Sequence, residues 1–190
     1  LFYQAPVIPQ EDYFLAVGRL LPYKRFDLIL DAWKTLPFPL KIVGTGPELK
    51  KLSARGGSLP IGQAGALGGK GNVEFLGYVP DEELRRLYAG ARAVIFPQVE
   101  DFGLVAAEAI ACGTPVIAFQ RGGATEIVTD GVNGHFFHVQ TPEAIREAVR
   151  RHMPMRFERA RIAKSIAQFS KKAFEEGILS HIPKELHFSR

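Results

Sequence analysis

The sequence predicts an α/β domain built on a doubly wound parallel sheet. Short runs of nearly uniform apolar character recur along the chain, too apolar throughout to be strands with one wet face. Segments with apolar residues at helical spacing lie between them. That alternation covers both faces of a parallel sheet with helices.

Residues 1–12, with Pro6 and Pro9, read as an extended linker. Residues 13–190 read as one domain closed by C-terminal helices, since 190 residues suit one well-buried core rather than two. The first strand is 13–17, ended by Gly18. A helix over about 24–36 follows, with Phe26, Ile29, Leu30 and Trp33 on one face. The second unit repeats this with strand 40–43, the turn Gly44-Thr45-Gly46, and Pro47 at the first position of a helix.

Residues 55–71, rich in glycine and containing Pro60, read as a loop. After strand 73–76, Pro80-Asp81-Glu82-Glu83 places acids in the first turn of a helix, where the helix dipole favours them, and that helix runs to Ala89. Strand 93–96, helix 103–111, strand 116–119, a short helix 124–128 and a short strand 135–137 come next. Two or three helices from Thr141 onward close the chain. The whole is Rossmann-like, and ligands of such sheets collect at the carboxyl ends of the strands.

Composition narrows the function. The chain opens on Leu1 with no signal pattern and has no apolar run of the ~20 residues that span a bilayer, so it reads as an excised piece of a cytoplasmic protein. Cys112 is alone and reads as a buried core thiol. The histidines, including His135 and His138, lack carboxylate partners at ligand spacing, so no metal site is expected. A net charge of +4 fits an anionic ligand or an acidic surface. The basic residues from Arg146 to Lys172 read first as solvated helix faces, with attachment at the inner face of a membrane as the alternative. No nucleic-acid module is present.

The residues with chemical potential all fall at expected strand ends. Arg19 and Lys24 follow the first strand and can face a diphosphate, the guanidinium with two parallel bonds and the ammonium as a point charge. A lysine at a helix start opposes the helix dipole, which favours a functional reason for Lys24. Gly44-Thr45-Gly46-Pro47 is either a backbone approach to a nucleotide or a tight turn. Phe102-Gly103-Leu104 opens a helix whose free amides make an anion seat, and Gly122-Gly123 could act likewise or be a plain turn. Glu100 and Glu108 are acceptor-only groups suited to a polyhydroxylated ligand. Glu108 sits in an otherwise uncharged, apolar helix, where it needs a partner such as a ligand hydroxyl.

The ordered motifs VGRLLPYKRFD, IVGTGPEL, VEFLGYVPDEEL, IFPQVEDFGLVAAEAIACGTPVIAFQRGGATEIV and DGVNG resemble the carboxyl-terminal, donor-binding domain of a GT-B glycosyltransferase. The likeness is to the retaining group called family 4, or group 1, and runs from residue 13 to about 181. It implies that Glu100 contacts hydroxyls of the donor sugar and Glu108 the nucleotide ribose. Arg19 and Lys24, after Gly18, would hold the diphosphate and stabilise charge on the leaving group. Amides of Phe102, Gly103 and Leu104 would seat the sugar and distal phosphate. Gly46 and the segment from Tyr78 through Val79 to Asp81 would border the base.

The implied reaction is transfer of a hexose from a nucleoside-diphosphate sugar with retention, without a metal or other cofactor, to a glycan or lipid-linked acceptor in polysaccharide biosynthesis. The EDFG form and Asp81 resemble mannosyltransferases using GDP-mannose, with UDP-linked hexoses next. The resemblance also implies an amino-terminal acceptor domain outside this chain, without which transfer is slight. Residues 55–71 are longer than usual for such enzymes. Two other readings stand beside this one. A nicotinamide or flavin oxidoreductase is disfavoured, because no strand precedes a G-x-G-x-x-G fingerprint. A non-catalytic nucleotide-sugar-binding or regulatory domain stays open.

Overall fold

The computed structural model describes residues 9–56 and 72–181. Most of the expected linker and of the glycine-rich 55–71 lies outside the described residues, and 9–12 carry no strand or helix. Six strands, β1 (Phe14–Val17), β2 (Leu40–Val43), β3 (Val73–Gly77), β4 (Ala93–Phe96), β5 (Val116–Phe119) and β6 (Gly134–Phe137), form one parallel sheet in the order β3-β2-β1-β4-β5-β6. Between them run α1 (Phe26–Trp33), α2 (Leu49–Ser53), α3 (Asp81–Gly90), α4 (Leu104–Ala111) and α5 (Ala124–Ile127). After β6 come α6 (Pro142–His152), α7 (Arg159–Lys164) and α8 (Lys171–His181).

Strand alternation divides the core into two layers. Phe14 and Ala16 of β1 face the layer holding Ile29 and Trp33 of α1 with Ile145 and Val149 of α6. Leu15 and Val17 face the other, where Tyr88 of α3, Ala106 and Ile110 of α4, Ile127 of α5 and Ile162 of α7 pack. With both faces covered, the central strands β1, β4 and β5 are apolar throughout and wholly buried, β6 is wholly buried with His135 in it, and β2 and β3 carry Lys41 and Glu74. Cys112 is a buried free thiol, as expected, and burial raises its pKa to about 11.

Two sequence expectations need correction. The helix over 24–36 is broken: Pro22–Lys24 forms a 3-10 turn, Arg25 takes a left-handed conformation with φ of 56°, and α1 begins at Phe26. Lys24 is therefore not at an α-helix start. Pro47 likewise sits in the turn ahead of α2, because the backbone of 44–48 is held against Leu20, whose N–H donates to Thr45 O at 2.9 Å and whose carbonyl accepts from Glu48 N.

α6 shows the sequence rules at work. The Thr141 hydroxyl accepts from Ala144 N at 3.2 Å, Pro142 opens the helix, and Arg150 and Arg151 in the last turn complement the dipole.

Candidate functional site

The strand order reverses direction between β1 and β4, since the chain moves outward through β2 and β3, then returns to the other side of β1. A crevice opens at the carboxyl ends of strands at such a switch point. The loop after β1 carries Gly18, Arg19 and Lys24; the loop after β4 carries Gln98 and Glu100.

Lys24 and Glu100 meet there. The Lys24 ammonium donates to Glu100 Oε1 in an ion pair across the two loops. Lys24 is buried, and burial lowers its pKa from the ordinary lysine value. The carboxylate supplies the counter-charge a buried cation requires. Gln98, only 2% exposed, donates from Nε2 to the same Oε1 at 3.3 Å. Gln140 in turn donates to Pro97 O at 2.7 Å, which ties the end of β4 to the loop before α6. Gln98 lies within the motif IFPQVEDFG without a role read from it, and Gln140 lies outside every motif; both act through tertiary contacts.

The glycines here are explained by close backbone approach. A Cβ on Gly44 would lie 1.9 Å from Gly18 O, and one on Gly46 would lie 2.5 Å from Leu20 O. The turn after β2 is thus pressed onto the turn after β1, and the approach Gly46 allows is to Leu20. On the other side, a Cβ on Gly123 would lie 2.0 Å from Phe102 O, and Gly123 N donates to Glu100 O at 2.8 Å. Gly122-Gly123 therefore supports the Glu100 loop from beneath.

That loop leads into α4 through Gly103, at φ of 94°. Gly103 O accepts from Ala106 N, which leaves the amides of Leu104 and Val105 with no carbonyl of their own helix to bond. Phe102 and Leu104 are exposed, and the Phe102 ring meets Phe169 edge-on at 5.5 Å.

Glu108 is half-buried one turn further along α4. The sequence suggested a ligand hydroxyl as its partner, but the chain supplies one itself: the Tyr88 hydroxyl donates to Glu108 Oε2 at 3.0 Å. Burial raises the Glu108 pKa, the bond from Tyr88 opposes that rise, and the negative charge of Asp81 adds to it. Asp81 thus faces the same region from the first turn of α3, while Val79 packs against the core and Tyr78 is exposed. Arg19 is exposed and makes no ion pair or side-chain hydrogen bond among the described residues. The loops thus bring an exposed guanidinium, an ammonium–carboxylate pair and free helix amides to one end of the sheet, suited to anionic and hydroxyl-bearing groups.

A cavity of about 270 Å³ lined by Arg92, His152, Arg156 and Arg159 lies at the opposite, amino-terminal end of the strands. None of the residues above lines it. Among the described residues no three His, Cys, Asp or Glu side chains come together as a metal-binding group, and no helix is long and apolar enough to cross a membrane.

This doubly wound sheet, with its polar groups gathered at the switch point, is the fold of the C-terminal domain of GT-B glycosyltransferases. The model of the family "Glycosyl transferases group 1" matches residues 4–169, and the chain belongs to that family. The D-inositol 3-phosphate glycosyltransferase of Mycobacterium sp. (strain KMS) is 41% identical over 127 residues, 66% of this chain and 28% of that protein. The lipopolysaccharide outer core galactosyltransferase WaaB aligns with 96% of this chain and 56% of its own, at a TM-score of 0.73 and 20% identity, a likeness of fold. HepE of Anabaena, solved in complex with UDP-glucose, aligns with 90% of this chain and 49% of its own, at a TM-score of 0.66 and 26% identity. The chain thus spans well under two thirds of each of these proteins.

Proposed function

We propose that this chain is the donor-binding half of a retaining glycosyltransferase that transfers a hexose from a nucleoside-diphosphate sugar. The observation that carries the reading is the Lys24–Glu100 pair at the switch point. It sets a cation suited to a diphosphate beside a carboxylate that can accept from sugar hydroxyls.

In this reading Arg19 and Lys24 engage the diphosphate, and the amides of Phe102, Gly103 and Leu104 take the distal phosphate and sugar oxygens. Glu100 orients the sugar and Glu108 holds the ribose. Departure of the diphosphate leaves positive charge at the anomeric carbon and builds negative charge on the leaving oxygens. Preorganised cations at those oxygens then lower the barrier, and no metal is required. The acceptor, a glycan or lipid-linked saccharide, is assigned to the part of the enzyme beyond this chain. The basic helices α6 and α7 would meet an anionic membrane surface electrostatically.

For the donor base, the EDFG motif and Asp81 favour GDP-mannose. The UDP-glucose bound to HepE favours a UDP-hexose for that protein and supplies the competing arm. Calorimetric titration of the chain with GDP and UDP, each repeated on Glu108→Ala, decides between them. Saturable binding of one nucleotide, weakened about tenfold or more by the substitution, supports the assignment. Equal affinity of Glu108→Ala and the parent chain would remove Glu108 from the site.

A further inference from the structure

We propose that Tyr88, which no motif marks, is the positioning residue for Glu108 and makes the site selective for ribonucleotides over 2′-deoxyribonucleotides. This rests on the donor-site reading and deepens it.

The geometry is specific. Tyr88 is 1% exposed in the last turns of α3, and its hydroxyl donates to Glu108 Oε2 at 3.0 Å. Its backbone is fixed too, since Tyr88 O accepts from the Thr114 hydroxyl in the turn before β5. The phenol therefore cannot swing away to solvent. A glutamate on a helix otherwise has several rotamers open to it, and a bond from a locked donor selects one. With Oε2 engaged, Oε1 and the remaining lone pair of Oε2 are presented in a fixed direction, the arrangement that recognises two vicinal hydroxyls.

The bond also favours the charged form of Glu108. Burial and the nearby Asp81 both favour the protonated acid, and the Tyr88 hydroxyl is what opposes them. A protonated Glu108 would offer one acceptor fewer to the ribose. Burial, Glu108 and Cys112 all hold the Tyr88 pKa well above its ordinary value, so the phenol stays a donor at any working pH.

The experiment follows UDP and GDP against dUDP and dGDP binding to the full chain by calorimetry across pH, with Tyr88→Phe, Glu108→Gln and the double variant. Carbon-13 NMR of the Glu108 carboxyl runs in parallel. Expected for Tyr88→Phe are about a tenfold loss of ribonucleotide affinity, loss of the ribo-over-deoxy gap, and an acid limb of binding moved to higher pH. The Glu108 titration should move the same way in the free chain. The double variant should bind no worse than Glu108→Gln. A purely structural tyrosine would leave the pH limb and the Glu108 titration where they are and would add its loss to that of Glu108→Gln.

If Tyr88→Phe fails to fold, 3-fluorotyrosine at 88 fills nearly the same space with a stronger donor and should move the Glu108 titration to lower pH. An unmoved titration in either variant overturns the role of Tyr88 while leaving the donor site intact. Failure of every nucleotide to bind the folded chain at millimolar concentration overturns the donor-site reading and this inference with it.

Discussion

Lys24 and Glu100 stand 76 positions apart in sequence and close an ion pair over the carboxyl ends of β1 and β4. Both side chains are mostly withdrawn from water, so their attraction is screened less than that of a surface pair. The pair spans the strand-order reversal and holds the two loops at a fixed separation. In the donor site proposed above, a diphosphate would meet an ammonium already in place, with Gln98 still bonded to Glu100.

Replacing Lys24 tests this first. On the proposed reading Lys24→Ala removes a cation from the leaving group, and it leaves the Glu100 carboxylate without its counter-charge. Turnover of the intact enzyme should fall at least ~100-fold, the scale of losing one such electrostatic stabiliser. Near-normal turnover in a steady-state assay would refute the role assigned to Lys24.

Gln98 offers a milder perturbation of the same site. Gln98→Leu keeps the buried volume nearly constant but takes away one of two donors to Glu100 Oε1. Stability should change by about 1 kcal/mol, whereas the KM for donor should rise severalfold as Glu100 loses its orientation. A large drop in thermal midpoint with unchanged KM would mean Gln98 serves the fold alone.

The glycines separate two kinds of cost. Gly44 has φ of 137°, and a Cβ there would meet Gly18 O at 1.9 Å; Gly56 has φ of 130°, and a Cβ there would meet nothing within 4 Å among the described residues. Gly56→Ala should cost about 1 kcal/mol of backbone strain. Gly44→Ala adds a backbone clash that must pry the first two strand-end turns apart, and should cost more than about 3 kcal/mol. Urea denaturation of the two variants measures the difference. Equal midpoints would show that the close approach of the turns at Gly18 and Gly44 is not maintained in solution.

Much of the fold was legible because its signals are local. The predicted strands 40–43, 93–96 and 116–119 coincide with β2, β4 and β5, since apolar runs between glycine and proline turns admit little else. The break at Arg25 was not legible, because a left-handed arginine leaves no compositional trace and is imposed by the Lys24 turn docking under Glu100. At the site, Lys24 and Glu100 were marked by residue type and strand-end position. Tyr88, Gln98 and Gln140 were not, since a tyrosine in an amphipathic helix or a glutamine in a loop looks alike whether or not tertiary packing aims it. The demand of Glu108 for a partner was legible; that the partner is Tyr88 depends on α3 packing against α4.

His152 gives the stability of the fold a pH dependence of its own. It is 4% exposed at the end of α6, stacked on Phe157 and edge-on to His135. Its Nδ1 has no hydrogen-bond partner among the described residues. Burial above all, then the positive charge of His135, lowers its pKa from 6.5 to about 4, and Arg92 contributes a lowering charge as well as a raising backbone bond. His135 is lowered too, mainly by burial and by Arg151, with Asp130 opposing. Between about pH 4 and 6.5 the unfolded chain therefore binds a proton at residue 152 that the folded chain refuses. The stability that His152 contributes is complete above pH 6.5 and is lost progressively as pH falls toward 4, by on the order of 3 kcal/mol at full effect. His152→Phe fills a similar volume beside Phe157 and cannot titrate. Its absolute stability should be lower for want of the bond to Arg92, but its chemical-denaturation midpoint should fall less steeply over that window. Parallel slopes for the two proteins would mean that His152 is protonated in the folded state, which contradicts the burial that the packing of α6 against β6 imposes.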